Sequence, residues 1–362
     1  MTNIAILKIG MFTPVGLDAA QTSTSVAAGL SCVQESSMVD QHQEPILAGL
    51  IPDDCLLPIE PSISPEKPLA NLHKRILQLG GAALQEVLTD VENTAAIPVF
   101  VALPAKPKNK LNKPLADSFV AELAIQAQVE IDIANSKMFC NGRAGFFLAL
   151  KEARQRLASP QGPNFIIVGG VDSYLDPYLI SHLLIVEKRI LATDVFDGFR
   201  PGEGAAFLLL ASENGLKAFA DKPLATLAGI GIGSESGHLF SSEPYLGEGL
   251  SQAFDDLFAN TSSLSEGEKV QTVFAGFNGE HLFSKEWGVG FMRHHQYINE
   301  KYRIEHPAEC FGDAGAALPA IMAGCAAAGL QEGDIEGPVL LWAASDGSER
   351  GAACFVNNRE GD

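Results

Sequence analysis

Positive charge is scarce in this chain: across 362 residues, 25 lysines and arginines face 44 aspartates and glutamates, a formal net charge of −19. Nucleic acid and anionic membrane surfaces recruit basic faces, so the balance excludes both as partners. One local exception, Lys106, Lys108, Lys110 and Lys113, crowds a Pro/Asn-rich loop. It reads either as a solvated surface or as a docking point for an acidic partner. Metal-ligand spacing is missing too. Cys32, Cys55, Cys140, Cys310, Cys325 and Cys354 form no C-x-x-C pair, and no metal is expected. Gly229, Gly231 and Gly233 follow a strand pattern but lack the rest of a dinucleotide fingerprint, so no nucleotide cofactor is expected either. The N-terminus shows no basic segment leading into an apolar core, which places the cysteines as reduced thiols in the cytoplasm. The uncharged stretch from Ala314 to Leu330 contains Pro319 and mostly alanine and glycine. It is too short and small-sided to span a membrane and reads as a buried helix.

What is present is enough apolar material for a large core: 46% of the residues are hydrophobic. The length allows two domains or one large domain built of two halves. Short apolar runs alternate with helical patterns, which points to an α/β architecture with mostly parallel strands. Strands are expected over 4–8, 99–103, 164–169, 207–211, 224–229, 273–276, 339–343 and 353–357. Helices are expected over 69–91, 115–127, 142–157, 249–259 and 314–328. Residues 35–67, rich in proline, serine and acidic side chains, read as a surface excursion.

An internal repeat organises these elements. Gly142-Arg143-Ala144-Gly145-Phe146-Phe147-Leu148 and Gly312-Asp313-Ala314-Gly315-Ala316-Ala317-Leu318 share the frame Gly-x-Ala-Gly-x-x-Leu, each with a cysteine two residues upstream, Cys140 and Cys310. A second pair, Asp197-Gly198 and Asp346-Gly347, each leads through Gly-Ala-Ala into an apolar strand. Matches in the same order imply a duplicated unit whose copies, 1–215 and 216–362, face each other across a shared centre.

Cys140 stands where a strand stops and an Ala/Gly-rich helix begins. The unsatisfied amides and positive dipole end of a helix favour thiolate over thiol, the setting of a nucleophile that forms a thioester. Phe146 and Phe147 could line an acyl-sized apolar pocket. The competing reading is a buried structural cysteine. Acyl transfer also needs a base or donor beside the sulfur and amides for an oxyanion. By the repeat, these should come from the second half, with Asn278, His281, Glu309 and Asp313 as candidates. Each has an ordinary role as well, in a turn, a helix cap or an exposed surface.

These residues resemble the β-ketoacyl synthase branch of the thiolase fold. Thr13-Pro14-Val15-Gly16 resembles the turn after that family's first strand, and Cys140-Asn141-Gly142 its nucleophile elbow. Val168-Gly169-Gly170-Val171-Asp172 resembles the strand end that follows. Asp197-Gly198-Phe199-Arg200-Pro201-Gly202-Glu203-Gly204-Ala205-Ala206 is the most specific match, and Ser234-Glu235-Ser236-Gly237-His238-Leu239 resembles the opening of the second half. The resemblance implies two duplicated α/β halves in a five-layered αβαβα core, with Phe199 and His238 near substrate. It also implies a dimer formed by pairing the strand at Phe165–Gly169, either with a second copy or with an active ketosynthase homologue.

The two histidines of the family's condensing enzymes are missing. Ala275-Gly276-Phe277-Asn278-Gly279 replaces the first motif. In the second, either Glu309 or Asp313 falls at the catalytic position, depending on register. A carboxylate there opposes enolate charge and disfavours a thiolate, and losing one oxyanion donor typically costs about 3–4 kcal/mol. Three readings follow. The chain is a non-condensing scaffold or partner subunit, pairing with an active ketosynthase or acting as an adaptor in an assembly such as a secretion system. Alternatively, Cys140 takes acyl groups from acyl-carrier-protein or acyl-CoA thioesters and transfers or hydrolyses them, aided by His281 or Asn278. In the third, an active 3-oxoacyl synthase uses relocated His238, His281 and His306.

Overall fold

The strands that read as uninterrupted apolar runs lie at the heart of one ten-stranded sheet. The computed structural model describes residues 4–63, 69–105, 115, 117–261, 264 and 267–358. The lysine cluster at 106–113 lies outside them. In chain order the strands are β1 (Ile4–Phe12), β2 (Val33–Val39), β3 (Pro45–Gly49), β4 (Val99–Ala102), β5 (Lys137–Phe139), β6 (Phe165–Ser173), β7 (Glu203–Ala211), β8 (Ala225–Ser234), β9 (Val270–Ala275), β10 (Ile298–Glu305), β11 (Val339–Ala344) and β12 (Glu349–Val356). The helices are α1 (Ala19–Ala27), α2 (Asn71–Val87), α3 (Phe119–Ala127), α4 (Gly145–Leu157), α5 (Pro177–Ile185), α6 (Glu213–Ala218), α7 (Glu248–Ala259), α8 (His281–His294), α9 (Ala308–Phe311) and α10 (Leu318–Glu332).

The sheet order, β10-β9-β11-β12-β8-β1-β7-β6-β4-β5, is one five-strand arrangement used twice. Setting aside the separate β2–β3 pair, each half places its strands in the sequence third, second, fourth, fifth, first. The halves join through a short antiparallel ladder in which Ile4, Ala5 and Ile6 pair with Leu227, Thr226 and Ala225. Helices α2 and α3 cover the outer face of the first half, and α7 and α8 that of the second. Helix α4 packs on β4 and β6 of one half and on β8 and β12 of the other, and α10 likewise touches strands of both. This is the αβαβα stack. The central layer explains the composition of α10: wedged between the two halves of the sheet, it is buried on nearly every side, and only small side chains fit. A Cβ on Gly324 would meet the Met11 sulfur at 2.7 Å.

Three expectations are corrected. The sheet is mixed, not mostly parallel. Only β4–β5, β4–β6, β9–β10 and β9–β11 are parallel, while the five ladders at the centre are antiparallel. The four residues between Ala344 and Glu349 are too few for a parallel crossover and close a hairpin instead. The segment 35–67 is more than an excursion, since β2 and β3 pair there and Gly49 lies against the Phe311 carbonyl. Lastly, β6 cannot dimerise through Phe165–Gly169, because β4 and β7 already occupy both its edges. Among the described residues the open edges of the large sheet are β5 and β10. The first, three residues long, is the strand expected to stop before Cys140, whereas β10, Ile-Asn-Glu-Lys-Tyr-Arg-Ile-Glu, was missed in the sequence and carries the charges of an edge strand. No helix among the described residues is long and apolar enough to cross a membrane.

Candidate functional site

Strand β5 ends at Phe139, and the chain turns sharply through Cys140, Asn141 and Gly142 before α4 begins at Gly145. Gly142 takes a left-handed φ of +61°, as does its repeat partner Gly312 at +75°. Gly145 is required by space: a Cβ there would stand 2.7 Å from the Phe139 carbonyl oxygen. Cys140, partly buried, packs against the apolar cluster under α2 and α3. Two amides of the elbow are already engaged. The Gly142 N–H donates to the Leu103 carbonyl at 3.2 Å, and the Ala144 N–H to Ser345 Oγ at 2.9 Å. The Ser345 hydroxyl in turn donates to the Asn141 carbonyl, and the Asn141 amide donates to Glu349 Oε1 at 3.2 Å. Residues from the β11–β12 turn thus hold the elbow from across the molecule.

The centre between the halves is filled by a closed ring of charge. Arg143, buried and the third residue after Cys140, forms an ion pair with Asp313 and donates to Asp346 Oδ1 at 2.9 Å. Asp313 accepts from the Asn278 amide at 2.9 Å and from the Gly315 N–H at 2.9 Å. Asn278 also donates to Glu280 at 2.8 Å. Arg189 grips Glu280 with two bonds of 2.7 and 2.8 Å and reaches Asp346 at 2.9 Å, which closes the loop. Arg143 lies over the Phe283 ring at 5.2 Å, and Arg189 over Phe199 at 5.4 Å. Burial acts on Asp346 and Arg143 alike. It would raise Asp346, yet Arg189 and Arg143 outweigh it and hold that carboxyl well below the usual range. It would lower Arg143, yet Asp313 foremost drives the guanidinium higher still.

Beside the ring, Asp172 accepts from the Ala316 and Ser173 N–H groups at 2.9 and 2.8 Å. Burial outweighs these bonds and lifts Asp172 from 3.8 to about 7, with Asp313 adding repulsion. The folded chain therefore binds this proton more tightly than the unfolded one. Stability falls as pH rises from about 4, and the loss is complete above about 7. Asp172→Asn removes that slope. The variant is expected to gain on the parent by a few kcal/mol between pH 5 and pH 8, offset at every pH by about 1 kcal/mol for one lost amide bond. Urea unfolding at both pH values measures it, and parallel stability curves for the two proteins would refute the assignment.

Of the residues singled out in the sequence, Asn278 and Asp313 meet in the ring. Glu309 lies outside it, 61% exposed and paired with His306 at 3.2 Å. His281 opens α8 with its ring 85% exposed and 3.2 Å from Asp197. His238, half-buried, accepts from the Phe240 N–H at 3.3 Å. The three histidines are thus held by three local partners, and none of the eight imidazoles enters the ring. Phe146, Phe147 and Phe199 are fully buried core residues: Phe147 packs against Gly351, and Phe199 tilts against Tyr174 at 5.0 Å. Two cavities, of about 30 and 440 Å³, lie elsewhere, the larger along α3 between Ala121 and Ile133. Sequence reasoning missed Arg143, Arg189 and Glu280. One signal was available, because Arg143 and Asp313 occupy the same variable position of the repeat with opposite charge.

No family profile matches the chain, and no curated protein does. Its shape is far more widely shared. The ishigamide ketosynthase/chain length factor superposes with a TM-score of 0.76 at 14% identity, over 99% of this chain and 100% of that one. The module 6 ketosynthase of the bacillaene synthase from Bacillus subtilis 168 gives 0.73 at 13% identity, over 99% and 72%. A type II polyketide acyl-carrier protein in complex with its ketosynthase gives 0.71 at 14%, over 99% and 100%. The fold is therefore the thiolase fold that these ketosynthase structures share, as the motifs implied.

Proposed function

We propose that this chain is a non-condensing member of the ketosynthase fold, a partner or scaffold subunit whose reaction centre has become a structural joint. The observation that carries the reading is the buried Arg143–Asp313 pair, placed where the two repeats meet and next to the elbow of Cys140. Decarboxylative condensation needs neutral or cationic donors facing a developing enolate. Here the guanidiniums are bound by carboxylates, the elbow amides of Gly142 and Ala144 have acceptors, and the phenylalanines that could have lined an acyl channel are packed into the core. A partner role has a counterpart in the chain length factor that accompanies the ishigamide ketosynthase. By that analogy the second chain is an active ketosynthase, and the subunit shapes or steadies it without acting on an acyl-carrier thioester itself.

The test combines two measurements on the purified chain. Malonyl-thioester decarboxylation is expected to stay at the buffer rate. Iodoacetamide mapping is expected to show Cys140 labelled no faster than the exposed Cys32. Decarboxylation that disappears in Cys140→Ala would overturn the proposal, as would acyl transfer onto Cys140 that depends on His281.

A further inference from the structure

We propose that Cys32 and Cys310 form a reversible disulfide pair, a thiol modification site that bolts the β2–β3 flap of the first half to α9 of the second. The two residues are 278 positions apart in sequence, yet the Cys32 N–H donates to the Cys310 carbonyl at 2.9 Å. The neighbouring residues repeat the contact, with the Ser31 hydroxyl donating to the Glu309 carbonyl at 3.2 Å. Residues bonded backbone to backbone are immediate neighbours in space, and a disulfide bridges Cα atoms roughly 4.4–6.8 Å apart. The contact stands on the fold alone and does not depend on what the charged ring does.

The two thiols divide the chemistry. Cys32 is exposed and open to an oxidant, whereas Cys310 is 2% exposed. Burial, with help from Glu309, Glu305 and the nearby Cys32, pushes the Cys310 thiol up to about 11, so it is a poor first reactant. With a hydroperoxide as oxidant, the Cys32 thiolate attacks the outer oxygen, the O–O bond breaks, and the product is a sulfenic acid plus water or an alcohol. The Cys310 sulfur then attacks the Cys32 sulfur and gives up its proton. The S–OH bond breaks and hydroxide leaves as water. Overall, two thiols lose two hydrogens and the peroxide is reduced. A dithiol reverses the bridge by exchange.

The bridge would fix backbone that matters. Cys310 lies three residues before Asp313, and the carbonyl of the intervening Phe311 abuts Gly49 of β3. Oxidation therefore clamps the flap onto the segment that carries the acidic half of the central ion pair.

The test treats the full chain with a slight excess of hydrogen peroxide, blocks remaining thiols, and maps peptides without reduction. The expected product is two hydrogens lighter and yields one linked peptide containing Cys32 and Cys310. It should disappear with dithiothreitol and in Cys32→Ser, and persist in Cys325→Ser. Because Cys32 is exposed, its serine variant folds normally and serves as the control. Accumulation of Cys32 sulfinic acid with Cys310 still alkylatable would overturn the proposal, and so would a bridge joining Cys310 to Cys325.

Discussion

Replacing Arg143 with methionine is expected to cost this protein about 3–5 kcal/mol, because it strands a buried carboxylate. Asp313 is 1% exposed, and its remaining donors, the Asn278 amide and the Gly315 N–H, are neutral. Asp346 would keep Arg189 but lose its second guanidinium. The double variant Arg143→Met/Asp313→Leu removes both charges and is expected to recover most of the loss, since apolar replacements of similar volume often equal a buried ion pair. What is not recovered is the acceptor for Asn278 and Gly315, about 1–2 kcal/mol. Denaturant unfolding of the parent, both single variants and the double variant completes the cycle. A single-variant cost under 1 kcal/mol would mean that water reaches the ring, and the case for a sealed centre would fail.

A comparable loss is expected at Arg350, with a different consequence. This side chain is fully buried and donates to the carbonyls of Ser345, Gly347 and Glu349 at 2.9, 2.6 and 3.0 Å. It also meets Glu286 Oε1 at 3.0 and 2.6 Å. Arg350→Met frees the β11–β12 turn and leaves Glu286 buried without its cation, at about 3–5 kcal/mol. Burial already raises Glu286 above its ordinary value against the pull of Arg350. Without Arg350 it rises further, so the penalty grows with pH above the ordinary carboxylate range and shrinks in acid. Because Ser345 anchors the elbow at Asn141 and Ala144, the same variant is expected to speed alkylation of Cys140. Peptide mapping with iodoacetamide measures the rate. An unchanged rate in a destabilised variant would show that the turn does not hold the elbow.

Both experiments probe the joint between the halves, and that joint was half legible in the sequence. The repeat frame marked Gly142 and Gly312 as equivalent places, where the structure has two left-handed glycines, and it offered Asp313 as a candidate at the shared centre. The strands it identified were those with uninterrupted apolar runs, such as β6, β7 and β11, because burial on both faces leaves an unmistakable pattern. The edge strand β10 escaped, since a charged strand has no such pattern, and the short β5 was legible only as the strand that stops before Cys140. Helix α8, whose polar outer face mixes with a glycine-spaced inner one, also escaped. The phenylalanines after Cys140 illustrate the opposite error. Their chemistry suits an acyl pocket, but a central helix packed by both halves of the sheet turns them into core.

Composition, hydrophobic period and the duplicated glycine frame were enough to determine an acidic α/β chain of two like halves with a cysteine at a strand-to-helix turn. These are local properties, carried by neighbours along the chain. The closed ring of Arg143, Asp313, Asn278, Glu280, Arg189 and Asp346 was decided by tertiary structure alone. Its members come from separate loops of both halves, and a charge reveals its partner only when folding brings the two within bonding distance and removes the water between them.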